Sequence, residues 1–146
     1  MRLDDVIELL RSIPLFRPVD PEALRLLAFS ALRRQLRAGD ILFRRGDAAD
    51  GGYLVLAGEI VLDSADDGSP SPYVFGAGTL IGQTAMFALV ERPATALARD
   101  NAVVLVFSRE LMLKVLDAHP ESAAVIRNTL AVQARDFAAR VSRVAG

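Results

Sequence analysis

The residue types and spacings best suited to chemistry are gathered in one stretch. It runs Gly78-Thr79-Leu80-Ile81-Gly82-Gln83-Thr84-Ala85-Met86-Phe87-Ala88-Leu89-Val90-Glu91-Arg92-Pro93-Ala94-Thr95-Ala96. A glycine-bearing turn leads into a short helix, and an arginine follows on the next strand. A helix start presents unpaired amide hydrogens and the positive end of its dipole, so Gly82, Gln83, Thr84 and Ala85 can receive an anion with little rearrangement. Arg92 would complete the site, because guanidinium offers a planar fork of donors that matches two phosphate oxygens. The chemistry implied is non-covalent capture of a single phosphate.

Tools for making or breaking bonds are scarce. The absence of cysteine removes thiol catalysis, disulfides and thiolate metal sites together. The one histidine, His119, precedes Pro120 at an expected helix junction, and the sequence offers it no partners for a metal. There is no Walker or dinucleotide motif, and Glu59 beside a turn glycine reads as a surface or structural charge. A protein that is not an enzyme is expected, with no metal or other cofactor. Seventeen basic residues against eighteen acidic ones give a net charge of −1, so no overall positive field draws in nucleic acid. No apolar run is long enough to cross a bilayer, and Met1-Arg2-Leu3-Asp4-Asp5 is too charged for a signal peptide. These features lead us to expect a cytoplasmic protein with one domain over residues 1–146.

A phosphate pocket needs a scaffold, and hydrophobic periodicity outlines it. Leu3, Val6, Ile7, Leu9 and Leu10 recur at helical spacing until Ile13-Pro14, where proline disfavours helix in the residue before it. Asp20-Pro21-Glu22 reads as an N-cap with proline at the first helical position of a second helix, ending near Ala31. From Leu32 the period changes to alternation, with glycines separating strand-like runs at Ile41 to Phe43, Tyr53 to Leu56, Glu59 to Leu62, Tyr73 to Phe75 and Val103 to Phe107. Asp66 to Pro72 predicts an exposed hairpin tip. Ser108 can cap a helix built on Leu111, Met112, Val115 and Leu116, and a last helix begins after His119-Pro120, with Arg127, Arg135, Arg140 and Arg143 as a solvated basic face. The fold expected is α+β. A jelly-roll-like antiparallel β-roll of about eight strands spans 32–107 and carries the phosphate segment at 78–96, between N-terminal helices at 1–31 and two C-terminal helices at 108–146.

Pro14-Leu15-Phe16, the run from Leu36 to Asp50, the run from Tyr53 to Ile60, the phosphate segment and His119-Pro120-Glu121 form an ordered set of blocks. Over roughly Ile13 to Phe137 this set resembles the cyclic-nucleotide-binding domains of catabolite-activator-type regulators, protein kinase A regulatory subunits and cyclic-nucleotide-gated channels. The resemblance implies that Gly82, Gln83, Thr84, Ala85, Arg92, Pro93 and Ala94 surround a cyclic phosphate, and that the residue after Gly82 accepts a hydrogen bond from the ribose 2′-hydroxyl. Where the family has glutamate, Gln83 keeps a carbonyl acceptor but loses the charge. Where the family has alanine, serine or threonine after the arginine, Pro93 brings no amide hydrogen to the phosphate. A neutral hydrogen bond is worth about 1 kcal/mol and one to a charged group about 1.5–3, so the two departures together weaken binding by one to several decades. Pro93 also lacks the hydroxyl that accompanies cGMP preference in the family, which makes cAMP the expected ligand.

The function expected is a non-catalytic sensor, in which a ligand orders the cassette and the terminal helices move because they contact the ligated state differently. Its partners would be a cyclic nucleotide or other phosphate-bearing small molecule, and an effector that is a separate protein or a second copy met through the C-terminal helix. The alternative is a degenerate domain that has lost nucleotide binding and serves as an interaction or dimerisation module. Gln83 and Pro93 favour the alternative; Gly82 and Arg92 favour the sensor.

Overall fold

The change of period at Leu32 is where the chain passes from helix to sheet. The structure, a computed structural model, describes residues 1–63 and 73–145, with side chains to residue 140; the hairpin tip expected at Asp66 to Pro72 lies outside the described residues. Helices α1 (Leu3–Ser12) and α2 (Pro21–Ser30) are followed by β1 (Leu32–Leu36), β2 (Ile41–Phe43), β3 (Ala48–Ala49), β4 (Gly51–Ala57), β5 (Ile60–Asp63), β6 (Val74–Phe75) and β7 (Leu80–Ile81). A 3₁₀ turn (Gln83–Met86) leads to β8 (Val90–Glu91), β9 (Thr95–Ala98), β10 (Ala102–Ser108), α3 (Arg109–Ala118) and α4 (Pro120–Ala145). The expected β-roll between pairs of helices is present. Pairs of only two residues raise the strand number among the described residues to ten.

All strand pairs are antiparallel. One sheet runs β1-β10-β4-β7, a second β2-β9-β5-β6, and β3 pairs with β8 alone. The register sets Leu54 opposite Leu105 and Tyr53 opposite Val106 across β4 and β10. Both strands are apolar on both faces because each face has its own core. Leu54, Leu56, Leu105 and Phe107 point towards the helices and pack with Leu10, Phe16, Leu24, Leu27, Met112 and Ile126. Tyr53, Val55 and Val104 point the other way and meet Leu36, Leu42, Ile60 and Ile81 between the two sheets. Continuous apolar runs, in place of alternation, are the signature of strands covered twice.

Small residues decide how closely these layers approach. Gly51-Gly52, which sequence reading set between strand-like runs, lies inside β4. A Cβ on Gly51 would run into the Phe107 carbonyl, and one on Gly52 would sit 2.8 Å from Met86 Sδ. Strand β9 reads Thr-Ala-Leu-Ala, a poor strand former by composition. Its buried Ala96 and Ala98 leave room for the opposite sheet, so tertiary packing overrides propensity.

The caps of α2 and α3 differ. Ser108 caps α3, its Oγ accepting from the Leu111 amide at 3.0 Å. Asp20 stands at the N-cap position of α2 but makes no side-chain cap bond. Its carboxylate instead faces His119 Nδ1 at 3.8 Å, and its amide donates to the buried Ser122 Oγ at 3.1 Å. The start of α2 is thereby tied to the α3–α4 junction. Among the described residues no helix is long and apolar enough to cross a membrane.

Phe107 is fully buried and packs against Phe16 with ring centroids 6.1 Å apart. Phe107→Ala is expected to lower unfolding stability by about 3–5 kcal/mol in urea titration, whereas Phe29→Ala on the exposed surface changes it by less than about 0.5. Equal effects from the two would refute the placement of the helix-side core.

Candidate anion-binding site

Arg92 follows the two-residue strand β8 and is held on both sides of its backbone. Its amide donates to the Asp47 carbonyl and its carbonyl accepts from the Gly46 amide, both at 2.8 Å. The side chain turns inward and is only 5% exposed. Nη2 donates to the Gly51 carbonyl at 2.7 Å. Cζ lies 4.4 Å from the centroid of the Phe43 ring and 5.4 Å from that of Tyr53, two rings stacked on each other at 5.9 Å. Such faces attract a cation through the ring quadrupole. Among the described residues no carboxylate forms an ion pair with it. A neighbouring Glu91 is exposed and does not neutralise it.

Opposite the guanidinium stands Gly82, with φ +77. A Cβ at this position would lie 2.5 Å from Arg92 Nη1. Glycine is therefore required twice, for the left-handed backbone and for the close approach. The segment after Gly82 is a 3₁₀ turn of four residues. The Ala85 amide already donates to Gly82 O at 3.1 Å, and Phe87 and Ala88 amides both donate to Thr84 O. The Gln83 and Thr84 amides come before the first of these bonds and are the donors the turn leaves open. Of the four amides expected to face an anion, Ala85 is thus already engaged. Pro93 is exposed and Ala94 buried, at the bend that leads into β9.

Gln83 is half-buried and reaches across to α4, where its Nε2 donates to Gln133 Oε1 at 2.9 Å. Gln133 escaped the sequence reading, although Ile126, Leu130 and Gln133 follow one helical stripe at i, i+4 and i+7. From Ala131 to Arg140 it is the one side chain that is not exposed. Phe43, Tyr53 and Gly51 were read only as strand or turn residues. Their role depends on contacts some forty positions away in the chain, which local pattern does not carry. Arg135 is exposed on α4. His119 meets Asp20, and no group of three potential metal ligands occurs among the described residues.

Residues 33–119 match the family model described as cyclic nucleotide-binding domain. A solved cyclic nucleotide-binding-like protein from Brucella abortus is 38% identical, with a TM-score of 0.72, covering 78% of this chain and 99% of that one. The N-terminal domain of a transcriptional regulator from Streptomyces coelicolor is 30% identical with a TM-score of 0.84, covering 91% and 94%. Among curated relatives, a lysophospholipase of Aspergillus fumigatus is 29% identical over 122 residues; the match covers 82% of this chain and spans 8% of that relative's length.

Gly82→Ala should combine about 1–2 kcal/mol of backbone strain with displacement of the Arg92 guanidinium. The expected outcome is a lower melting temperature and a changed tyrosine fluorescence as the cation leaves Tyr53. An unchanged melt and spectrum would contradict this packing.

Proposed function

The chain belongs to the cyclic nucleotide-binding domain family, and from that premise we propose that it is a non-catalytic regulatory module whose ligand is a cyclic nucleotide, cAMP in preference to cGMP. The observation that carries the proposal is Arg92, a buried guanidinium that has no carboxylate partner among the described residues. Burying a charge costs several kcal/mol unless it is paired. One carbonyl and two ring faces offset part of that cost and leave most of the fork unused. A cyclic phosphate set between Arg92 and the Gln83 and Thr84 amides supplies the missing counter-charge.

Gln83 connects the same ligand to the output. A carboxamide donates on one side and accepts on the other. With Nε2 held by Gln133, its Oε1 is free to accept the ribose 2′-hydroxyl, so ligand and α4 share one side chain. Ligation and the position of α4 then bias each other, as linkage requires.

A second reading, an interaction module that works through α4, is favoured by the outer half of that helix. Ala134 and Phe137 follow at three-residue spacing and are both exposed, Phe137 by 63%. Such a seam suits a second copy of the chain coiled against it.

Isothermal titration calorimetry separates the two readings. Micromolar binding of cAMP is expected, weakened about tenfold to a hundredfold or more in Arg92→Ala and partly retained in Arg92→Lys, with thermal melts to confirm folding. Absence of heat for both cAMP and cGMP would abandon the sensor for the α4 interaction module. Gln83→Glu is expected to tighten cAMP binding about 3- to 30-fold by making the ribose bond charge-assisted; weaker binding would mean that Gln83 does not meet the ribose.

A further inference from the structure

Arg109, the first residue of α3, is placed like a bolt between three parts of the molecule. Its Nη1 lies 3.2 Å from the Ala49 carbonyl of β3, 3.2 Å from that of Ala85 and 3.1 Å from that of Ala88. Its backbone amide donates to the Asp50 carbonyl at 2.7 Å. Among the described residues no ion pair draws the side chain elsewhere. Ala85 lies near the end of the 3₁₀ turn whose beginning faces Arg92, and Ala88 lies two residues beyond that end. A cation shared among carbonyls at that end satisfies acceptors that the short turn leaves open.

The acceptors on the sheet side are consecutive. The carbonyls of Ala49, Asp50 and Gly51 receive, in order, Arg109 Nη1, the Arg109 amide and Arg92 Nη2. The carbonyls that hold the start of α3 therefore directly precede the one that holds Arg92. Met86 of the turn and Met112 of α3 lie in the same buried cluster, so the polar link runs beside an apolar one.

We propose that Arg109 is a positioning residue that locks the anion-binding turn to the start of α3, so that turn and helix open and shift as one unit. This deepens the sensor reading by naming the link through which the site reaches the C-terminal helices. The physical basis is a charged donor with three acceptors from two elements. Without it the turn keeps only its own 3₁₀ bonds and its packing. Lysine at this position keeps a charged donor, but its ammonium ends one bond short of the place of Nη1, so it restores only part of the lock.

The test is amide hydrogen exchange on the full ligand-free chain, comparing wild type, Arg109→Ala and Arg109→Lys, with β10 as internal reference. Arg109→Ala is expected to speed exchange at Phe87 and Ala88 about ten- to hundredfold, with β10 unchanged and Arg109→Lys intermediate. Unchanged exchange in the turn, or a rise matched by β10, would overturn the proposal by showing no link or a merely global loss of stability. Should the alanine variant fail to fold, the lysine variant decides by the same criterion. With cAMP added, wild type is expected to gain protection in both the turn and the first turn of α3, and Arg109→Ala in the turn alone. A wild type that does not respond to cAMP counts against the sensor reading, while the ligand-free comparison still decides the role of Arg109.

Discussion

A guanidinium lies almost fully buried beside β4 with no carboxylate among the described residues to meet it, and the surrounding structure is arranged to tolerate that. Three features share the burden: a carbonyl at 2.7 Å, a stacked pair of aromatic rings, and a glycine whose missing Cβ lets the side chain lie flat. They come from three places in the chain. Phe43 ends β2, Tyr53 and Gly51 belong to β4, and Gly82 follows β7. The two sheets must therefore be closed on each other before Arg92 can be buried at all, and β3–β8 pairing must fix its backbone. The proposed anion site is in this sense a product of tertiary closure. A free carboxylate in the same place would neutralise the charge and remove the reason for an anion to enter.

The same closure explains where small residues fall. Gly51 and Gly52 admit the Phe107 backbone and Met86 against β4, and Ala96 and Ala98 admit the facing sheet against β9. Larger side chains at these positions would push the turn or the opposite sheet outward by the width of a methyl group or more. Hydrogen bonds of the kind made by Arg92 and Arg109 weaken steeply over such a distance. Packing and site geometry are one constraint here, expressed once in apolar contacts and once in polar ones.

Legibility in the sequence followed the range of the interactions. Strands rich in β-branched and aromatic residues, such as Val103 to Phe107, and helices marked by proline and serine, such as those after Asp20 and at Ser108, were readable because their signals are local. The meeting of Gly82 with Arg92 was readable because the two lie ten residues apart in one segment. Strand β9 was not, since alanine carries little strand preference and its role depends on the sheet across from it. The side-chain cap expected from Asp20 is absent, and its carboxylate is turned instead to His119, about a hundred residues away at the other end of the fold. Gln133 and Arg109 were missed for a related reason: each looks like an ordinary polar residue on a helix until the turn packs against it.

What α4 can transmit is bounded by how it is held. Its 26 residues span about 39 Å at 1.5 Å per residue. Ile126 and Leu130 anchor its first half in the helix-side core, and Gln133 is the last described side chain with a polar partner on the roll. A single neutral hydrogen bond there is worth about 1 kcal/mol, or about fivefold in an equilibrium. A ligand acting through Gln83 alone thus shifts α4 only modestly, far short of the about 10⁴-fold preference that a full population switch requires. Sharper response needs additional contacts that differ between the two states. Two sources are proposed: the block formed by the turn, Arg109 and α3, and a partner seated on the exposed Ala134 and Phe137 of α4. On the proposed sensor reading the first would move the root of the helix and the second would reward its new position, so their contributions would multiply where the Gln83 bond by itself would only nudge.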